Sequence, residues 1–134
     1  TITRYKAGKP VLYYTWTPYW VSGALIPGKD TVWLQVTHSA HPVTKNTALS
    51  NGMNFGFNVN SQKIVANKAV SAKYHDVAKL FEIIKLSVND VSAENKLIAG
   101  GENKDKDMQR HAKQWIKAHQ TTFNKWIETA KKAK

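Results

Sequence analysis

Five large aromatic rings lie within eight consecutive residues of the segment YYTWTPYW, residues 13–20, although aromatic residues make up only 10% of the chain. The negative face of an aromatic ring attracts a cation, and the methyl groups of a quaternary ammonium also gain by leaving water. A cluster of such rings can therefore enclose a quaternary amine. We single out Trp16 as the candidate ligand contact. Packing of the same ring in the protein interior is the alternative.

The elements around Trp16 determine where its ring points. The apolar and aromatic run at residues 11–14 predicts a buried strand that ends near Trp16. Thr17 is then a good N-cap, and Pro18 a good first helical residue, because proline lacks the N–H that would be unpaired there. Trp16 is thus predicted at a strand-to-helix corner, the edge at which α/β sheets present their ligand sites.

The rest of the chain predicts an α/β fold, with short strands in the first half and helices in the second. Two further strands are expected at residues 31–37, with Trp33 in the core, and at residues 62–67. The opening TITRYKAGKP reads as the tail of a surface helix that leads into the first strand. The span 37–60 is long for a loop inside a domain and is interpreted as functional or as a crossing between lobes.

Helical spacing of apolar residues dominates from Asn67 onward. It predicts two short helices separated near Tyr74, then a helix capped by Ser87 or Asn89 that stops at residues 100–101. The final helix is expected to run unbroken for more than twenty residues. Its apolar face is Met108, Ala112, Trp115, Ile116, His119, Phe123, Trp126, Ile127 and Ala130.

Other kinds of chemistry have little support in these residues. The chain has no cysteine, and His38 and His41 lack the cysteine or carboxylate partners that a zinc site needs, so no metal site and no cofactor are predicted. No nucleophile, base or phosphate-loop motif is present, and Asp105 and Asp107 lie among lysines at a helix start. We therefore predict that the protein is not an enzyme.

The net charge of +11 is the largest compositional oddity. A field of that sign favours nucleic acids, anionic membrane surfaces or acidic partners. The Lys and Arg residues are dispersed along the chain, which favours a solvated surface over a nucleic-acid site. A basic module that binds single-stranded nucleic acid remains the alternative function.

Six blocks occur in order along the chain: PVLYYTWTPYW, PGKDTVWLQV, NGMNFGF, IVANKA, KLFEIIKL and WIKAHQTTFNKWI. With them, the sequence resembles the glycine betaine/proline betaine-binding proteins of osmoprotectant ABC importers. The resemblance implies that residues 1–134 form the carboxyl-terminal part of a two-lobed periplasmic binding protein of type II, which closes on its ligand by hinge motion. It also implies a periplasmic location, glycine betaine or proline betaine as ligand, and a membrane permease as partner, with no role for nucleic acid.

The resemblance further implies a box of three Trp side chains around the ammonium group, of which only one maps onto this sequence, at Trp16. The other walls and the donors for the ligand carboxylate would lie outside the chain, so the chain alone is expected to bind betaine weakly or not at all. Tyr14, Tyr19 and Trp20 are interpreted as packing residues that support Trp16. Strands separated from their sheet neighbours would also favour self-association of the chain.

Overall fold

The computed structural model describes residues 1–133, and the regular secondary structure of that part is helical. Its helices, in chain order, are α1 (Ile2–Lys6), α2 (Trp20–Ala24), α3 (Lys68–Lys73), α4 (His75–Ile83), α5 (Val88–Ala99), α6 (Asp105–Ala118) and α7 (Gln120–Ala130). The chain divides into two compact units: residues 25–63 form one, and the residues before and after them form the other. Of the helices described, none combines the length and the apolar character needed to cross a membrane.

The predicted strands are wrong for this chain. Within residues 1–133 the only β-type pairings are two isolated bridges, Pro27 with Thr31 and Ala48 with Asn54. A strand needs a continuous neighbour to satisfy its backbone hydrogen bonds, and none of the three predicted segments has one there. Within the described part of the chain, segment 31–37 has only the bridge at Thr31 and a single bond from the Val36 N–H to the Asn54 carbonyl oxygen. Their apolar side chains accordingly stay exposed, as at Leu12 (83%), Val32 (79%) and Val65 (92%). The described part of the chain is therefore helical rather than α/β.

The helical predictions for the second half are largely confirmed. The chain breaks at Tyr74 between α3 and α4, and α5 ends before Gly100, as expected. Ser87 caps α5, where its side chain accepts a hydrogen bond from the Asp90 N–H at 3.0 Å. Asn67 caps α3 in the same way through the Ala69 N–H at 2.9 Å. Local capping chemistry thus sets these boundaries.

The prediction of a single long final helix is wrong, because His119 separates α6 from α7. Its backbone leaves the helical region, with φ −120° and ψ 31°, and its Nδ1 donates to the Trp115 carbonyl oxygen at 2.9 Å. The apolar spacing nevertheless continues across the break. The imidazole stacks on Trp115 at 4.2 Å between ring centroids, and Trp115 stacks on Trp126 at 5.8 Å. The two tryptophans predicted to pack on this face do so against each other.

Small residues let α2 approach α5 closely. Ser92 on α5 is only 2% exposed, and Ser22 on α2 is also buried. A Cβ atom added at Gly23 would lie 2.3 Å from the Ser92 carbonyl oxygen, which is far inside van der Waals contact. The absence of a side chain at Gly23 is therefore a requirement of this packing.

An ion cluster ties α5 to α6 around the buried His111. Its Nδ1 lies 3.0 Å from Glu94 Oε1, and its Nε2 lies 3.1 Å from Glu102 Oε2. Arg110 pairs with both Glu102 and Asp107. The hydrogen bond to Glu94, followed by the one to Glu102, raises the pKa of His111 above its usual value of 6.5. The cluster therefore favours the doubly protonated imidazolium, with a carboxylate on each ring nitrogen.

Residues 25–63 are held by polar contacts rather than by regular elements. Asn54 Oδ1 accepts hydrogen bonds from the Thr47 hydroxyl at 2.8 Å and from the Gly56 N–H at 2.9 Å, and its Nδ2 donates to Ser39. Thr47 is buried at the centre of these bonds. Trp33 lies against Phe55 at 6.0 Å but remains exposed, so its predicted core position is wrong. The reading of residues 37–60 as a lobe crossing stays a prediction.

Gly23→Ala is expected to destabilise the protein, because the new methyl group would collide with the Ser92 carbonyl and force α2 away from α5. We expect the free energy of unfolding to fall by about 1–3 kcal/mol, measured by urea denaturation. Gly100→Ala is the matched control, since Gly100 has an ordinary helical φ of −78°. A change within about 1 kcal/mol is expected there. Equal effects of the two substitutions would contradict the close packing at Gly23.

His111→Gln is expected to destabilise the protein more at acidic than at alkaline pH. The pKa of His111 is raised in the folded state, so its stabilising contribution is fully present below about pH 6.5 and is lost as the pH rises through the folded-state pKa. Denaturation at pH values of about 5.5 and about 9 measures the difference. His75→Gln, at an exposed histidine outside the ion cluster, is the matched control. A loss at His111 that is independent of pH would rule out the imidazolium.

Candidate functional site

The four aromatic residues singled out in YYTWTPYW lie next to one another as a ladder of rings, the aromatic ladder. Tyr14 and Trp16 have ring centroids 6.1 Å apart at an interplanar angle of 53°. Trp16 stacks on Tyr19 at 4.4 Å and 30°, and Tyr19 meets Trp20 at 5.9 Å and 55°. Stacked and tilted pairs at these separations are favourable aromatic contacts. The structure thus brings together all four candidate residues.

Trp16 is the member of the aromatic ladder that is both supported and open. The residue is 51% exposed, although Tyr19 stacks on its ring. Tyr19 and Trp20 are more buried, and Tyr14 is more exposed than Trp16. An indole ring with one supported face and much of its surface free can accept a cation without first disrupting a packed core. In this geometry Trp16 packs on Tyr19 and also presents surface that a ligand could contact.

The backbone before α2 differs from the predicted strand-to-helix corner. No strand precedes Trp16 in the described residues, and α2 begins at Trp20 rather than at Pro18. The Thr17–Pro18 peptide bond is cis, and residues 17–19 form a bend. The expected roles of Thr17 as N-cap and Pro18 as first helical residue are therefore wrong. The Thr17 hydroxyl lies 3.5 Å from Ser92 Oγ instead of capping α2.

Two buried serines hold the backbone of the aromatic ladder. The Ser22 hydroxyl donates to the Trp16 carbonyl oxygen at 3.1 Å, and the Tyr19 N–H donates to Ser92 Oγ at 3.3 Å. Sequence reasoning missed both roles. The Ser22 side chain reaches six residues back along the chain, and a serine before a glycine gives no sign of that contact. Ser92 lies 73 residues from Tyr19, and nothing in its local pattern signals the contact.

The histidines of HSAH make local contacts. His38 Nδ1 lies 3.2 Å from the Thr37 hydroxyl, and His41 Nδ1 accepts a hydrogen bond from the Thr44 N–H at 3.0 Å. The His41 ring thereby closes a turn in its own loop. Across residues 1–133, no group of three or more His, Asp or Glu side chains is arranged to hold a metal ion.

The comparisons with known proteins all indicate the same family. Residues 1–118 match the family described as the substrate binding domain of ABC-type glycine betaine transport system. The chain is 54% identical over 132 residues to the glycine betaine/proline betaine-binding periplasmic protein of Escherichia coli K12, a match that covers 97% of this chain and 40% of that protein. It is 48% identical over 136 residues to the glycine betaine-binding periplasmic protein OusX of Dickeya dadantii, covering 99% and 41%. The chain thus spans about 40% of the length of these relatives.

Ser92→Ala is expected to loosen the aromatic ladder, because the half-buried Tyr19 N–H loses its acceptor. The free energy of unfolding should fall by about 1–3 kcal/mol, and hydrogen exchange at the Tyr19 amide should accelerate. Ser71→Ala is the control, since that exposed serine contacts only the Lys68 carbonyl of its own helix. Unchanged exchange at Tyr19 would show that Ser92 does not hold the segment.

Proposed function

The chain belongs to the family of substrate-binding domains of ABC-type glycine betaine transport systems, and on that premise we propose that it helps to capture glycine betaine or proline betaine for such an importer. Its relatives are periplasmic betaine-binding proteins, which supports this proposal. The family consists of binding proteins rather than enzymes, so the ligand is held and released unchanged. The protein would work in the periplasm and deliver its ligand to a membrane permease.

The half-exposed Trp16, whose ring stacks on Tyr19 at 4.4 Å, is the observation that supports the proposed binding mechanism. A trimethylammonium group has no N–H to donate, so a hydrogen-bond acceptor cannot recognise it specifically. A π face attracts its charge and removes its methyl groups from water at the same time. The Tyr19 ring and the two serine hydrogen bonds restrict the movement of the Trp16 segment, which lowers the ordering cost of binding.

We propose that this chain supplies one wall of the site and that the remaining walls lie in parts of the relatives' length that it does not span. The chain offers one supported and exposed indole in the aromatic ladder, whereas complete enclosure of an ammonium group requires rings on several sides. The donors for the ligand carboxylate would come from the same missing parts. In a two-lobed protein, closure of the lobes would then bring these walls together around the ligand.

The exposed apolar segments suggest how the chain behaves on its own. Leu12, Val32 and Val65 lie in segments with strand-like sequence, and all three are largely exposed. Such segments can pair with a second copy of the chain through their free backbone groups. We propose that the isolated chain self-associates, and that the remaining length of the protein would cover these segments.

The family match also favours one of the two functions that the composition left open. The charge of +11 allowed a module for single-stranded nucleic acid as the alternative. The matching family has an assigned solute, and the aromatic ladder suits that solute's ammonium group. Solute binding is therefore the function that these observations support best.

Trp16→Ala is expected to weaken betaine binding in a chimera in which this chain replaces the matching 40% of the Escherichia coli relative. Loss of one desolvated cation–π contact is worth about 2 kcal/mol, or about a 30-fold rise in Kd. Isothermal titration with glycine betaine measures the effect, and Trp16→Phe should lose less because a ring remains. The unsubstituted 134-residue chain should bind weakly or not at all.

Trp33→Ala in the same chimera is the control for this prediction, since Trp33 is an exposed tryptophan that contacts Phe55 and lies outside the aromatic ladder. It should leave the Kd within about twofold. A Trp16→Ala chimera that binds glycine betaine as tightly as the parent would remove Trp16 from the site while leaving the family assignment in place.

A further inference from the structure

Helix α6 carries a straight row of cationic side chains on one side, the basic row, formed by Lys106, Arg110, Lys113 and Lys117. Their spacing of four, three and four residues confines them to an arc of about 60° on a helix with about 100° per residue. The row extends for about 16 Å along the helix axis. Although lysines are dispersed along the whole sequence, helix geometry gathers these onto one side.

Packing keeps the basic row facing outward. His111 and Trp115 lie on the other side of α6, where His111 joins the ion cluster with Glu94 and Trp115 stacks on Trp126. These contacts tie α6 to α5 and α7 and therefore fix its rotation about its own axis. The direction of the row is thus set by the interior of the same unit.

Three members of the basic row form no direct ion pair within the described residues, although the charge of Lys106 contributes to lowering the pKa of the neighbouring Asp107. Lys106, Lys113 and Lys117 are exposed, and none of them forms an ion pair with a carboxylate in residues 1–133. Arg110 differs, because Glu102 and Asp107 both bind its guanidinium. The available charge of the row therefore lies on the three lysines.

The composition of the row indicates the kind of partner. Its flanking residues are Gln109 and Gln114, so none of the six side chains that line this face is apolar or aromatic. Specific protein interfaces usually depend on a few buried aromatic or aliphatic anchors, which this surface lacks. A bilayer rich in anionic lipid needs no such anchor, since its headgroups form a continuous field of negative charge that attracts lysines near its surface.

We propose that the basic row of α6 docks the protein on an anionic lipid surface. The three lysines contact lipid phosphates, and the glutamines extend the polar contact on either side. The net charge of +11 adds a longer-range attraction that brings the protein to the surface, where the row then sets its orientation. This interaction is independent of the aromatic ladder and of betaine binding.

Vesicle partitioning of the chain and of the chimera described above tests the proposal. The vesicles are phosphatidylcholine with about one-third phosphatidylglycerol, and phosphatidylcholine alone serves as the neutral comparison. The triple variant K106Q/K113Q/K117Q is compared with the control K9Q/K45Q/K85Q, which removes the same charge at exposed and dispersed positions. Far-ultraviolet circular dichroism checks that both variants keep their helix content.

We expect binding to the anionic vesicles that weakens with salt. The row variant should lower the partition coefficient by about 100-fold, since each lysine near the surface contributes about fivefold, and the control should lower it much less. Titration of the chimera with glycine betaine should be unchanged by the row variant. Failure of the lipid proposal therefore leaves the betaine proposal unaffected.

Four results would overturn the proposal. Equal losses in the two triple variants would show that net charge alone drives binding. Equal binding to neutral vesicles would assign it to exposed apolar segments, and absence of binding by the chimera would show that the row is covered in the longer protein. Unchanged vesicle binding by the row variant, together with lost binding to a single-stranded oligonucleotide or to polyglutamate, would assign the row to another polyanion.

Discussion

The close approach of α2 to α5 at Gly23 and Ser92 is the contact on which the candidate site depends. Because Gly23 has no side chain, the α2 backbone can lie against the Ser92 carbonyl. Ser92 can then accept the Tyr19 N–H, while the neighbouring Ser22 holds the Trp16 carbonyl. The same few atoms pack α2 on α5 and hold the backbone that carries the stacked rings of Trp16 and Tyr19. Trp16 nevertheless stays half-exposed.

Helix α6 shows how one element can serve two environments. Its inner side carries His111, whose ring nitrogens face Glu94 and Glu102, and Trp115, which stacks on Trp126. Its outer side carries lysines that form no ion pair with a carboxylate in the described residues. The inner contacts use specific geometry and therefore fix the rotation of the helix, whereas the outer charges act over several ångströms and need only be presented together.

The failed strand predictions show what a hydrophobic pattern reports. The segments around Leu12, Val32 and Val65 have the β-branched and aromatic content of buried strands, and that content is real. A strand also requires a continuous neighbour for its backbone hydrogen bonds, and residues 1–133 offer these segments nothing beyond isolated contacts. The pattern therefore indicates that these side chains favour burial. Whether a segment finds a strand to pair with depends on the tertiary fold. The chain spans only about 40% of its relatives.

The sequence by itself determined what depends on neighbouring residues: the helical region that follows Asn67, the cap at Ser87, the break at Tyr74 and the clustering of aromatic rings around Trp16. Each of these features arises within a few residues, so composition and spacing are sufficient to predict it. Only the tertiary structure decided the start of α2 at Trp20, the break between α6 and α7, and the support of Tyr19 by Ser92 from 73 residues away. Such contacts join segments that are distant in the chain, and their geometry follows from packing, which local sequence preferences do not encode.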